Sequence, residues 1–362
     1  VIKRVGGHGR DSSIPVLVDP DGMECTKSHD KANVIGKYFA QKCSLDDDFA
    51  EQSGPFPHVR QRTANTLATV HFRQATVRRT LRALNPSKAT GPDAVPARVL
   101  RKCADSLALP LSKLFTLCFC SGHQPAMWKV ANVVPVHKKG PKSNPRNYRP
   151  ISLLPIMSKC MESIVNRSLS NFLKKNDILS HRQFGFRTGL GTSDLLIALQ
   201  HEWSLAAASG GLVRVLAVDI AGAFDKVSHN GVLHKAERCG ISGLLLAWLR
   251  SYLTDRHIRV VIGGQSSPTH RIQSGVPQGS ILGPTLFLLY VNDAEDHLPD
   301  GAKLAVYADD TTLYKCITTR LRLPEETAIL QQAVDSLAAW GSRWKIKFEP
   351  TKSQALTISH HR

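Results

Sequence analysis

The chain has 362 residues, 42% hydrophobic and 21% charged, a balance that excludes a disordered polypeptide and allows one large domain or two ordinary ones. Lys and Arg number 47 against 29 Asp and Glu, and the resulting formal charge of +18 favours a polyanionic partner over an acidic or neutral one. The longest apolar run, Leu282 to Val291, is broken by Gly283, Pro284 and Thr285, which excludes a bilayer-spanning helix.

Nucleic acid is the first candidate partner, because neutralised phosphates release their counterions; a basic but inert protein is the bland alternative. The chain opens on Val1 without a charged-then-apolar leader, so it reads as a piece of a longer polypeptide. Residues 1–70 read as a connector, with a turn at Val18–Gly22 and one helix over Ser28–Cys43. Asp46-Asp47-Asp48 and the Ser53-Gly54-Pro55 turn read as an acidic, solvated linker rather than a metal site.

From Thr76 the period becomes helical, with Val77, Leu81 and Leu84 on one stripe and a stop at Asn85-Pro86. A turn at Ala89–Asp93 precedes a helix from Pro96 and a long apolar helix over Leu107–Cys120. Cys103, Cys118 and Cys120 sit among Leu and Phe and read as buried, inert thiols. The 8 cysteines show no zinc-ligand spacing, and their scatter fits a reducing intracellular setting. A strand is expected over Val130–Val136, then helices from Ile156 to Lys175. Leu212–Ile220 reads as a buried strand, Gly243–Leu253 as a helix, and Ile258–Ile262, Leu304–Tyr307 and Thr311–Cys316 as strands. The last two flank Ala308-Asp309-Asp310 as a hairpin. The order is α+β, an antiparallel sheet covered by helices on one side.

Three carboxylates carry the chemical reading. Asp219 ends the apolar strand, and Asp309 and Asp310 occupy the hairpin tip. Nucleotidyl transfer uses two divalent cations a few ångströms apart, and magnesium takes hard oxygen ligands of this kind. Most isolated Asp-Asp pairs only cap turns in solvent, and the side chain of Asp310 has the alternative of pointing away. Between these carboxylates lies the small-residue stretch Gln273–Ser280, which allows close backbone approach to a flat partner and precedes an apolar helix. Phe224 follows Asp219 closely; it is either a core residue or a wall against a ribose 2′-hydroxyl.

Together these residues resemble a known family. Ala217–Asp225 is similar to polymerase motif A of reverse transcriptases, Ser274–Phe287 to motif B, Tyr307-Ala308-Asp309-Asp310 to motif C and Trp344–Lys352 to motif D. Leu84–Asp93 resembles the N-terminal motif of non-LTR retrotransposon enzymes, and Asn147–Leu153 and Gln183–Arg187 resemble their two fingers motifs. The likeness runs from residue 75 to 355 and resembles in detail the Jockey and CR1 group of LINE elements.

The resemblance implies a right-hand polymerase: fingers with the N-terminal motif over 71–210, and over 211–362 a palm whose antiparallel sheet is backed by helices. The thumb and primer grip are expected to be absent, since the chain stops at His360-His361-Arg362. It implies an RNA-directed DNA polymerase that extends a DNA primer or target-DNA 3′-hydroxyl on an RNA template with dNTPs. Two Mg2+ ions, with Mn2+ as a substitute, would be held by Asp219, Asp309 and Asp310. Lys138, Arg149 and Arg187 would hold the triphosphate, Phe224 would be the sugar gate, and Gln278 and Gly279 would line the nucleotide pocket. Template and primer would meet Gly275, Pro277, Ser280 and Tyr307. Gly222 departs from the family, which commonly has a polar or basic residue there. The resemblance also implies a nuclear location and a parent polyprotein with an endonuclease domain. Two alternatives stay open: a viral RNA-dependent RNA polymerase, disfavoured by Ala308 and the bulk of Phe224, and a non-catalytic nucleic-acid-binding module.

Overall fold

The computed structural model describes residues 14–45, 56–318 and 323–359. Val1, the Asp46–Asp48 and Ser53–Pro55 linker and the His360–Arg362 end lie outside them. A short hairpin of β1 (Leu17–Val18) and β2 (Glu24–Cys25) leads into α1 (Ser28–Lys42). Next come α2 (Gln74–Arg82), α3 (Ala97–Lys102) and α4 (Ala104–Cys120), the last beginning three residues before its expected start and running through Pro110. The strands β3 (Val130–His137) and β4 (Tyr148–Leu153) pair, and α5 (Ile156–Lys175) and α6 (Thr192–Ala208) precede β5 (Leu212–Asp219). Then α7 (His229–Arg238) and α8 (Gly243–Leu253) lead to β6 (Arg256–Ile262), β7 (Gln265–Ser266) and β8 (His270–Ile272). The order continues α9 (Gly283–Val291), β9 (Lys303–Tyr307), β10 (Asp310–Ile317), α10 (Leu323–Arg343) and β11 (Gln354–Ser359).

The first sheet is antiparallel throughout, in the order β11-β5-β10-β9. Side chains alternate between its faces, so each strand contributes to two cores. Leu216, Val218, Leu304, Val306 and Leu313 pack with Leu337 and Trp340 of α10 and with α9 in the main core. On the opposite face Val213, Val215, Ala305 and Tyr314 pack against Leu199 and Ala206 of α6. Helices therefore cover parts of both faces, which corrects the one-sided expectation. Toward the Asp219 and Asp310 end, α6 no longer covers the sheet and Ala217 is exposed.

Glu202 pins α6 in that position. Its carboxylate accepts hydrogen bonds from Lys303 Nζ (2.8 Å), Arg182 Nη1 (2.8 Å) and the Tyr314 hydroxyl (2.9 Å). Burial alone would raise its pKa, but the bonds from Lys303, Arg182 and Tyr314 outweigh burial and pull it down to about 2. Because the folded value lies below the ordinary 4.5, this stabilisation is present above pH 4.5 and is lost as pH falls toward about 2. Glu202→Gln is expected to cost about 1–2 kcal/mol at neutral pH after solvent screening. Urea melts across acid pH should show the gap to wild type closing through that window; a constant gap would remove the electrostatic account.

The second sheet is mixed, ordered β4-β3-β6-β7 with β8 also on β6; β3 and β6 run parallel. Its Ala131, Val133, Ile258 and Val260 pack against Leu17, Ile35 and Phe39, so α1 completes this sheet's core. Further along, Val59, Val70 and Phe72 enter the main core, and Leu67 bridges Ile241. The described part of the expected connector is thus built into both cores. Cys118 is buried as expected, whereas Cys103 and Cys120 are exposed. Cys103 falls at the break between α3 and α4, and Cys120 is the last residue of α4, where burial has ended.

Candidate active site

The register of the first sheet assembles the carboxylates. Asp310 lies opposite Asp219 on β5 and opposite Tyr307 on β9, leaving Ala308-Asp309 as a two-residue turn. Ala308 has φ +61°, as the first central position of a tight hairpin turn can require. The segment before α6 holds it there. Gln183 Oε1 accepts the N–H of Ala308 (3.1 Å) and of Gly185 (2.8 Å), while its Nε2 donates to the Ala308 carbonyl (3.4 Å). Phe184 N–H donates to Val306 O (2.8 Å), and Val306 N–H to Arg182 O (2.9 Å). A Cβ on Gly185 would stand 2.2 Å from the Ala308 nitrogen, so only glycine lets this segment lie against the turn. Gln183, buried and held by three side-chain hydrogen bonds, is a support that sequence reasoning placed in a motif without a role.

The charges around the carboxylates are of both signs. Asp310 has its pKa raised, first by burial, then by Asp309 and Asp219. Lys352 Nζ, after α10, donates to Asp219 Oδ2 at 2.6 Å, and Glu349 N–H donates to the Asp219 carbonyl at 2.9 Å. Lys138 and Arg149 sit at the end of the β3–β4 pair, where Val136 faces Arg149 and Lys138 N–H donates to Asn147 O (2.8 Å). Burial holds the Lys138 ammonium below the usual lysine range; Arg149 and Lys352 add to this and Asp219 opposes it. Lys138 therefore has Arg149, Lys352 and Asp219 as charged neighbours. The donor set fits a hard divalent cation in kind: oxygen ligands only, with negative charge that the carboxylates press on one another. Among the described residues no three His, Cys, Asp or Glu side chains are gathered closely enough to form a metal-holding group.

The residues between the carboxylates build a shaped wall. Phe224 stacks on Phe287 of α9 (centroids 4.9 Å, 23°). Gly275, at φ +89°, lies against the motif A turn, where an added Cβ would meet Asp225 O at 2.7 Å and Phe224 O at 2.8 Å. Pro277 is buried; its carbonyl accepts Ser280 N–H (3.0 Å), and Ser280 Oγ accepts Gly283 N–H (3.0 Å) at the start of α9. Gln278 O accepts Ser152 N–H (2.7 Å), and Gly279, at φ +118°, abuts Ser152 O, so the loop docks on β4. The Gln278 amide donates to Asp225 Oδ1 (2.7 Å), and the other carboxylate oxygen pairs with Lys42 Nζ (2.5 Å) of α1. Gly222 has φ +64°, and its carbonyl accepts the N–H of Asp225 (2.8 Å), so the glycine serves the turn itself. Tyr307 is half-buried beside the turn. Arg187 is placed differently from Lys138 and Arg149: its Nη1 donates to Ser180 O (2.8 Å) and Gln183 O (3.2 Å) of its own loop. Asp225 and Lys42 escaped sequence reasoning; the one available signal was a second aspartate at the close of the motif A run.

Residues 136–361 match the family described as reverse transcriptase (RNA-dependent DNA polymerase). The chain is 29% identical to the RNA-directed DNA polymerase from mobile element jockey of Drosophila melanogaster, over 95% of this chain and 38% of that protein. It is 31% identical to the probable RNA-directed DNA polymerase from transposon BS of the same species, over 75% of this chain and 30% of that protein. With the probable RNA-directed DNA polymerase from transposon X-element, also of that species, it shares 29% over 93% of this chain and 37% of that protein.

Proposed function

The chain belongs to the reverse transcriptase family, and on that premise we propose that it is the RNA-directed DNA polymerase part of a non-LTR retrotransposon protein. The observation that carries this reading is the register that sets Asp219 opposite Asp310, with Asp309 in the adjoining turn, at the uncovered end of an antiparallel sheet. We read that sheet as the palm and the mixed sheet with α1 as part of the fingers.

Asp219, Asp309 and Asp310 would hold the divalent ions, Mg2+ or Mn2+, and such ions, when bound, supply Lewis-acid stabilisation of phosphoryl oxygens. In the reaction a primer 3′-oxygen bonds to the α-phosphorus of a dNTP, the bond to the bridging oxygen breaks, and pyrophosphate leaves. Lys138 and Arg149 bind and orient the triphosphate, Arg149 through its forked donors and Lys138 as a point charge. Lys352 adds a third cation beside Asp219. Arg187 acts as a brace for its loop, since its Nη1 is committed to two carbonyls. Phe224 closes the space beside the sugar, and Gln278, oriented by Asp225, lines the nucleotide pocket with Gly279. Gly275, Pro277, Ser280 and Tyr307 shape the surface that template and primer cross. The formal charge of +18 suits those partners. A parent polyprotein with an endonuclease domain, acting on nuclear target DNA, completes the proposal.

The test is primer extension on an RNA template with dNTPs and Mg2+ or Mn2+, with and without a chelator. Extension that the chelator stops supports the reading. Tight template binding without extension under either ion would favour the non-catalytic binding module instead.

A further inference from the structure

We propose that Phe186 determines sugar specificity: its ring braces Phe224 so that the space beside the incoming sugar rejects a 2′-hydroxyl. The proposal rests on the reading of Phe224 as the gate. Three observations on Phe186 converge. Its backbone is left-handed, at φ +56°, a conformation that bulky aromatic residues rarely adopt and that costs energy. The residue is 51% exposed, so hydrophobic burial does not explain why a phenylalanine stands there. That ring meets Phe224 edge-on, at 5.8 Å between centroids and 86° between planes.

The strain persists because both neighbours are fixed. Gly185 is wedged against the Ala308 nitrogen of the Asp-Asp turn and tied to Gln183 Oε1. Arg187 is tied through its guanidinium to Ser180 O and Gln183 O. Between these two anchors a left-handed residue carries a ring, and that ring meets Phe224 on an edge that Phe287 does not stack. A cavity of about 400 Å³, also lined by Lys174, Arg187, Thr285 and Leu288, adjoins Phe186. The backbone, not the core, holds it in place.

A phenylalanine gate works by exclusion, and exclusion requires that the ring cannot swing aside. Phe287, 1% exposed, is a rigid backing on one side of Phe224. Phe186 supplies the other contact. Because it is anchored to the Asp-Asp turn through Gly185, it also fixes the gate relative to the carboxylates.

Phe186→Gly and Phe186→Asn test this, since both residues accept a left-handed φ and neither carries a ring. The readout is the preference for dUTP over UTP, which differ only at the 2′ position, measured as a kcat/KM ratio in extension. It is measured again as a ratio of equilibrium affinities on a template–primer ending in a dideoxynucleotide, which needs no turnover. The preference is expected to fall about two- to tenfold, the value of one edge-on aromatic contact, with no loss of melting temperature. Phe186→Tyr should keep it. Phe224→Ala is the reference for the gate itself. Full preference in both ring-less Phe186 variants, with preference lost in Phe224→Ala, overturns the proposal and leaves the gate reading intact. Preference unchanged in Phe224→Ala as well overturns the gate reading and the proposal together. A lower melting temperature with an unchanged ratio would give Phe186 a packing role only, which also overturns it.

Discussion

Asp309→Asn is expected to abolish primer extension while leaving affinity for template RNA essentially unchanged. The exchange is close to isosteric and sits at the second position of a turn whose shape is held elsewhere, by Gln183 on Ala308 and by the ladder at Tyr307 and Asp310. What it removes is charge. Ionisation of Asp310 is opposed first by burial and then by its neighbours Asp309 and Asp219, so the charge removed is one that Asp310 feels. An amide is a far poorer ligand for a hard cation than a carboxylate. Losing several kcal/mol of charge stabilisation lowers the rate by about 10³-fold or more. RNA binding should not follow, because deleting one negative charge moves the formal charge from +18 to +19 and weakens no phosphate contact. Extension assays paired with filter binding separate the two effects. Near wild-type extension by the variant would falsify the role given to this aspartate; parallel loss of extension and binding would point to a folding defect.

The carboxylates were legible in the sequence because each sits at a discontinuity in a strong local pattern. Asp219 ends an apolar strand, and Asp309 and Asp310 sit where one strand turns into the next; hairpin geometry joins the latter two, whereas Asp219 meets them only through the long-range pairing of β5 with β10. Helices with clean apolar stripes were equally legible: Ile156–Lys175 and Gly243–Leu253 run over their expected residues. Two of the helices that went unread carry no clean stripe. In α6, Leu196, Ile197 and Leu205 are exposed while Leu199 and Ala206 are buried, so its apolar residues point several ways. In α7 a lysine is buried, which no hydrophobic period signals. The contacts that shape the site between motifs are long-range and polar. Lys42 reaches Asp225 across 183 positions of chain, and Gln183 reaches Ala308 across 125. A single sequence carries no local signature of such pairs, which is why residues 1–70 read as a connector although α1 contributes a charge to the wall.

The largest effect on stability is expected at the lysine of α7, where Lys235→Met should cost about 3–5 kcal/mol. Lys235 is 1% exposed, and its ammonium donates to Asp293 Oδ1 (2.5 Å) and Tyr290 O (2.7 Å). It also lies over the rings of Trp344 (3.8 Å), Trp340 (4.9 Å) and Tyr290 (5.2 Å). Burial lowers its pKa to about 8, with Asp293 opposing the fall. Methionine keeps the volume of the stem but leaves the Asp293 carboxylate, 4% exposed, buried without a cation. The damage should reach the site as well. The Tyr290 hydroxyl donates to the Trp344 carbonyl, and from there the chain runs to Lys347 O on Ala221, Glu349 on the Asp219 carbonyl and Lys352 on its carboxylate. Denaturant melts of Lys235→Met, Asp293→Leu and the double variant divide the causes. Recovery of most of the loss in the double variant would assign it to the stranded carboxylate. No recovery would assign it to the cation held among Trp344, Trp340 and Tyr290, and would make this aromatic box the element that fixes the last segment against Asp219.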